Sequence, residues 1–263
     1  MNRRIWGIVY RHLCLYRHSW PRLLELIYWP TLQMCIWGLT TAYLVSRAGT
    51  APAAVAGGAL LGGVLLWEVT LRSQMGVAIS FLEELYSRNL GHIFVSPIRP
   101  QELLGAQILV SFGRTLFGVL PAIGLAWVLY AFDLFEMGPI LVLFFANLMV
   151  MGWWIALGVV SLILRHGLGA EVLAWSVTFG IAPFSAVVYP VSVLPAALQP
   201  IALALPSSHV FEGMRAALDG QVRWDHLVAA AGLNVVWSGA AVALFAWQFH
   251  RARDRGALLN LGE

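Results

Sequence analysis

Residues 87–105 read SRNLGHIFVSPIRPQELLG and lie between two long apolar stretches. The segment is polar and is interrupted by Pro97 and Pro100, yet it carries apolar residues of its own, among them Leu90 and Phe94. A simple linker would not need these apolar side chains. Which partner they contact depends on the nature of the flanking stretches.

Composition identifies those flanking stretches. Hydrophobic residues make up 60% of the 263-residue chain and charged residues 11%, with a mean hydropathy of +0.77. Soluble domains are about 45–50% apolar and about 25% charged. Several stretches of about twenty residues are almost free of charge, the length that crosses a hydrocarbon core of about 30 Å. The short alternating segments of a membrane barrel are not visible. We therefore predict a polytopic helical membrane protein.

The basic residues exclude one class of activity. All sixteen are arginine, and the chain has no lysine. A P-loop requires a lysine that reaches the nucleotide phosphates. We therefore do not expect this chain to hydrolyse ATP by itself.

Hydropathy predicts an all-α fold of six transmembrane helices in one membrane domain, 1–263. Residues 1–22 are expected to form an interfacial amphipathic helix, because Ile5, Val9, Leu13, Tyr16 and Trp20 form a stripe opposite a basic side. The basic side holds Arg4, Arg11, His18 and Arg22 and is expected to face anionic lipid. The predicted spans are 23–46, 53–82, 102–132, 138–164, 168–189 and 226–249, so that spans one to five occupy 23–189 and a tail covers 250–263.

Arginine positions predict the orientation. With the N-terminus inside, eleven arginines fall in cytoplasmic segments and three, Arg47, Arg215 and Arg223, fall outside. This bias matches the positive-inside rule. Both termini and residues 87–105 are therefore predicted to be cytoplasmic.

The outer connection, 190–225, is long and mildly hydrophobic. Pro195, Pro200 and Pro206 divide it, and Arg215 lies near its end. Two short helices fit, at 195–204 and 207–219, and neither is long enough to span a membrane. We predict a re-entrant hairpin protected by protein contacts; a pair of amphipathic helices lying flat on the membrane is the alternative.

Three ionisable residues lie deep within predicted spans, away from their ends: Glu68, Arg72 and Arg114. Such residues are costly in a membrane and usually face the bundle interior or water. They either line a translocation path for an anionic group or form an internal ion-pair network in which Glu68 pairs with Arg72 or Arg114. The histidines show no metal-ligand spacing, so no metal site is predicted.

Two blocks together resemble the permease subunit of the type-2 ABC exporter family: FLEELYSRNLGHIFVSPIRPQELLGAQIL and YPVSVLPAALQPIALALPSSHVFEGMRAAL. The first contains Ser96, Pro97, Pro100, Glu102 and Gly105 at the places of the family's motif entering span three. The second matches the family's proline-spaced outer hairpin. The resemblance covers nearly the whole chain.

The resemblance implies a coupling helix that docks into a separate ATPase. It would comprise Ser87, Arg88, Asn89, Leu90, Gly91, His92, Ile93, Phe94 and Val95.

It also implies two copies of a P-loop ABC ATPase that bind ATP and magnesium, with no cofactor in this chain, and a second permease copy, expected to form a homodimer. Membrane lipids are further expected partners, and nucleic acid is not. The implied activity is export of a lipid, lipid-linked glycan or hydrophobic small molecule across the bacterial inner membrane. The alternatives are a proton-coupled secondary transporter and an intramembrane enzyme using the Glu68, Arg72 and Arg114 cluster.

Overall fold

A computed structural model of the chain describes residues 2–48, 51–87 and 98–254. Over these ranges the chain forms helices joined by turns, without a strand, and the prediction of an all-helical fold is confirmed. The α-helices are α1 (Asn2–Arg17), α2 (Trp20–Ala48), α3 (Ala51–Tyr86), α4 (Pro100–Tyr130), α5 (Ile140–His166), α6 (Val172–Ile181), α7 (Gln199–Leu203), α8 (Pro206–Leu218) and α9 (Trp224–Asp254).

Three of the described helices are long and apolar enough to cross a membrane: α4, α5 and α9. They contain 31, 27 and 31 residues. Helices α2 and α3 contain 29 and 36 residues, which corresponds to about 44 and 54 Å at about 1.5 Å per residue. The predicted spans at 102–132, 138–164 and 226–249 therefore coincide with candidate membrane helices.

The fifth predicted span differs from the structure. Within 168–189 the α-helix covers only Val172–Ile181, and a 3₁₀ turn at Ala182–Phe184 follows it. Pro183 lies in this turn and has no amide hydrogen for a helical hydrogen bond, so it helps to end the helix. Ten helical residues are too few to cross a bilayer by themselves.

Helix α3 is the centre of the bundle and contacts α2, α4, α5, α6 and α8. Small residues allow its closest contacts. A side chain at Gly152 of α5 would begin 2.7 Å from the Thr70 carbonyl oxygen, and one at Gly76 would meet Ser111 of α4. The Ser111 hydroxyl donates to the Ser73 carbonyl at 2.7 Å. Close helix approach and interhelical hydrogen bonds of this kind are typical of packing within membranes.

The start of α4 is well defined. Pro100 occupies the first turn, where its missing amide hydrogen costs nothing. The Arg99 amide donates to the Glu102 carboxylate at 2.9 Å, which satisfies one donor of the helix terminus. Ser87, at the other side of the 88–97 gap, follows directly on α3 and its hydroxyl donates to the Glu83 carbonyl at 2.8 Å. Residues 88–97 therefore connect the end of α3 to the residues that precede α4.

Candidate functional site

A buried ion pair lies on the central helix. Glu68 and Arg72 are four residues apart on α3, with 3.3 Å between Arg72 Nε and Glu68 Oε2. Their side chains are only 6% and 12% exposed. Residues four apart share one helix face, so the pair forms within the helix without help from another element.

The pair lines a cavity of about 280 Å³ between α2, α3, α4 and α6. The charged and aromatic side chains around it are Glu25, Trp29, Glu68, Arg72, Arg114, Trp175 and Phe179. Arg114 therefore shares the cavity with Glu68 but, among the described residues, has no carboxylate within 4.0 Å. Of the two ion-pair partners considered for Glu68, the structure pairs it with Arg72.

A second cavity of about 320 Å³ adjoins the first. The two share Gln33, Glu68, Leu71 and Phe179 in their walls. The second is lined further by Trp37, Trp67 and Tyr189. We call the two cavities together the charged groove. It is polar and charged at the end that holds Arg72 and aromatic toward Tyr189, so it can accommodate a molecule with a polar head and an apolar body.

The outer connection is held to the bundle by Arg215 of α8. Its guanidinium donates to the carbonyls of Ala186 and Val187, the second at 3.2 Å. The Val191 amide in turn donates to the Glu212 carboxylate at 2.8 Å. Arg215 thus links α8 to the chain that follows α6 through hydrogen bonds.

The prolines of this connection bound its helices. Pro195 precedes α7 and accepts from the Leu198 amide at 2.8 Å. Pro200 lies in the first turn of α7, and Pro206 is the first residue of α8. The predicted pieces at 195–204 and 207–219 thus contain the observed helices, although α7 is only five residues long.

Helix α1 is attached to the ends of α3 and α4 through ion pairs. Arg11 lies 3.0 Å from Glu84, Arg4 lies 3.5 Å from Glu102, and Arg22 of α2 lies 3.2 Å from Glu83. These arginines were predicted to face anionic lipid; they also contact carboxylates of the same chain, and their side chains remain 45%, 43% and 42% exposed for Arg4, Arg11 and Arg22. We call these three ion pairs the N-terminal clamp.

His12 lies inside the N-terminal clamp. Its ring nitrogens are 3.9 Å from Glu83 and 3.8 Å from Glu84, and the residue is 1% exposed. Burial lowers the pKa of His12, against the opposing effect of the two carboxylates. The stripe of hydrophobic residues predicted a purely apolar face for α1. The structure places the His12 imidazole in the buried face of this helix.

The sequence did not lead us to predict Glu83, Glu84 and Glu102 as the ion-pair partners of these arginines. The available signal was the acidic pair in FLEELY, immediately before the polar segment, since carboxylates at a membrane-proximal helix end require a counter-charge.

Apart from Ser87, the predicted coupling residues, Arg88–Val95, lie outside the described residues. The clamp joins the two helices on either side of them. No group of three or more potential metal ligands occurs in the described parts of the chain.

Comparison with known proteins identifies the family. The family model of the ABC-2 type transporter matches residues 5–218. The chain belongs to the ABC-2 type transporter family. A comparison with curated proteins gave no significant match.

The family match covers nearly all of α1 and all of α2 to α8, including the charged groove, two of the three clamp ion pairs and the outer connection up to residue 218, and it leaves α9 outside. This ABC-2 transporter chain is a multi-pass membrane protein with the role of an ABC transporter permease. Such chains are transmembrane subunits that generally lack an ATPase site and typically act with an ABC ATPase. The absence of lysine from the sequence agrees with this division of labour.

Proposed function

We propose that this permease is the transmembrane subunit of an ATP-driven exporter that moves an amphipathic substrate out of the cytoplasm or the inner leaflet. The substrate is a lipid, a lipid-linked glycan or a hydrophobic small molecule. The family match across residues 5–218 carries the proposal, because it covers the segment expected to dock the ATPase as well as the helices around the charged groove. ATP and magnesium bind to the ATPase, and this chain supplies the path.

Residues 87–95 act as the coupling helix in this proposal. They follow α3 directly and precede α4, and the N-terminal clamp ties the ends of both helices to α1. Movement of a docked ATPase would therefore reach α1, α3 and α4 as one unit. Leu90, Ile93 and Phe94 supply the apolar contacts with a groove on the ATPase.

The assembly contains two copies of this chain and two ATPase subunits in the bacterial inner membrane. Each chain has six spans, the fifth of which consists of the short helix α6 together with the 3₁₀ turns on either side of it. Both termini are in the cytoplasm, in accord with the eleven arginines predicted on that side. The short helices α7 and α8 form the outer re-entrant hairpin, which Arg215 secures to the chain after α6. The polar and aromatic ends of the charged groove support an amphipathic substrate.

Co-purification tests the coupling assignment. The tagged chain would be extracted from its native membranes in mild detergent, the retained proteins identified and ATP hydrolysis assayed. A co-purifying P-loop ATPase is expected. Changing Leu90 and Phe94 to Asp should abolish its retention while membrane insertion persists, because two charged groups cannot enter an apolar groove without a large desolvation cost.

The matched control carries two Asp substitutions in the outer connection, Val193→Asp and Val222→Asp, where both side chains are exposed. This variant should retain the ATPase. Retention by the Leu90 and Phe94 variant would contradict the coupling assignment. A chain that purifies alone and shows no nucleotide-dependent activity would favour a secondary transporter.

A further inference from the structure

A further cavity of about 370 Å³ lies between α1, α2 and α4 and shares Leu26 and Arg114 with the first cavity of the charged groove. Its outer rim is apolar and open: Leu13, Leu109 and Phe117 are 57%, 47% and 47% exposed. In a membrane protein, such exposed side chains face acyl chains rather than water. We call this cavity the α1 groove.

Arg114 forms part of the wall of the α1 groove, and no carboxylate of the described residues lies within 4.0 Å of its guanidinium. Its Nη1 atom is buried and has no hydrogen-bond partner. The guanidinium carbon lies 5.3 Å from the centre of the Tyr16 ring, a cation–π contact that offsets only part of the lost hydration. A buried cationic donor without an acceptor is costly, so this atom requires an anionic partner.

A second guanidinium reinforces the positive charge of the α1 groove. It belongs to Arg17 of α1, which is exposed, while the buried His12 imidazole contributes a polar group. None of the described residues that line it is acidic. Among the carboxylates around it, Glu83 and Glu84 are already paired with arginines in the clamp. Glu25 and Glu68 line the adjoining cavity together with Arg114 but form no ion pair with it within 4.0 Å, and Glu68 is paired with Arg72. The α1 groove is therefore electropositive, and no carboxylate among its described lining residues neutralises that charge.

Gly113 leaves room beside this charge. A Cβ built on Gly113 would have no atom within 4 Å, in contrast to Gly118 one turn further along α4, where it would lie 2.8 Å from the Leu26 carbonyl. The open notch at Gly113 leads from the buried guanidinium to the exposed rim. Its shape suits a molecule with an anionic head and a hydrocarbon chain.

We propose that the α1 groove binds an anionic phospholipid from the leaflet that faces α1. Arg114 and Arg17 donate hydrogen bonds to its phosphate, since the planar guanidinium matches phosphate geometry. One acyl chain lies in the notch at Gly113 and along Leu109 and Phe117. The occupant is a lipid rather than a soluble anion because the approach to Arg114 is apolar. The site does not depend on the transported substrate and joins α1 to α4 through the bound headgroup.

Native mass spectrometry of the detergent-purified chain tests the site. Phosphatidylglycerol and phosphatidylcholine of identical acyl composition would be titrated in parallel. Wild type should retain phosphatidylglycerol with preference. Arg114→Gln should weaken its binding by at least about tenfold, the scale of one charge-assisted hydrogen bond. Arg17→Gln, at an exposed position, should weaken it less.

Two further variants separate charge from shape. Gly113→Leu keeps both arginines but fills the notch, so it should also lose the lipid while folding normally. Arg251→Gln removes an exposed arginine that packs on Trp247 in α9, 4.5 Å from the ring centre, and should bind as wild type does. Equal binding of both lipids, unchanged binding in Arg114→Gln or unchanged binding in Gly113→Leu would overturn the proposal. Displacement of the lipid by millimolar inorganic phosphate would do so as well, by indicating a soluble-anion site.

Discussion

At the scale of single residues, the positions of charges inside the bundle distinguish three roles. Glu68 and Arg72 neutralise each other within one helix face. Arg215 donates hydrogen bonds to the backbone carbonyls of Ala186 and Val187. Arg114 has no ion pair among the described residues, its Nη1 atom is buried without a hydrogen-bond partner there, and its guanidinium packs on the Tyr16 ring. The four-residue spacing of Glu68 and Arg72 correctly predicted that the two can form an ion pair. Spacing alone could not show that Arg114 takes no part in that pair.

Substitutions in the Glu68–Arg72 pair can show whether the pair stabilises the fold or takes part in transport. Glu68→Leu alone should destabilise the protein by about 3 kcal/mol, because it leaves Arg72 buried and unpaired. The double change Glu68→Leu and Arg72→Leu should recover most of that loss, since two apolar groups need no partner. Thermal unfolding in detergent measures both variants against wild type.

Transport by the same double variant distinguishes the two roles. A stable double variant that no longer transports would assign the pair to the charged groove's function. A stable double variant with full transport would make the pair purely structural. A double variant less stable than Glu68→Leu alone would contradict the pairing.

At the scale of elements, α1 is the helix whose environment differed most from expectation. Its amphipathic pattern predicted a helix, and Asn2–Arg17 is helical. Its basic side, however, also contacts Glu84 of α3 and Glu102 of α4. Periodicity reveals that a helix has two unlike faces; it does not reveal which neighbour each face meets.

Removing one contact of the N-terminal clamp should loosen α1. Arg11→Gln removes the ion pair between Arg11 and the Glu84 carboxylate, which is 1% exposed. Because Arg11 itself is 43% exposed, solvent screening limits the effect to about 1 kcal/mol. Backbone hydrogen exchange across residues 2–17 should therefore rise about fivefold.

Arg3→Gln is the control for this experiment, since Arg3 lies on the same helix, is exposed and has no ion pair among the described residues. It should leave the exchange of α1 unchanged. Equal exchange in Arg11→Gln and wild type would mean that apolar packing, for example of Ile8 and Val9 against α4, holds α1 alone.

At the scale of the whole molecule, a single central helix organises the bundle. α3 contacts five other helices, and its close approaches to α4 and α5 depend on Gly76 and Gly152. The charged groove lies on one side of α3, while the N-terminal clamp holds the end of α3 that precedes the proposed coupling segment in the sequence. A force applied at that end can thus reach the groove through one rigid helix.

The proposed orientation has a direct test in intact cells. In a background of Cys14→Ser and Cys35→Ser, cysteine would be introduced at Asp219, after α8, and separately at Arg253, near the end of α9; both positions are exposed. A membrane-impermeant thiol reagent should label the first and not the second, because arginine distribution assigns the C-terminal end to the cytoplasm. Labelling of Arg253→Cys from outside would reverse the orientation.

The sequence by itself determined the all-helical membrane class, the approximate bounds of most helices and the resemblance that the family match confirmed. These properties depend on hydrophobicity and local periodicity, which each segment carries alone. The tertiary structure decided that Arg4, Arg11 and Arg22 pair with glutamates, that Arg215 links α8 to the chain that follows α6 and that Arg114 has no ion pair within the described parts of the chain. These outcomes depend on which distant side chains come within a few ångströms of one another, and only the packing of the helices fixes those distances.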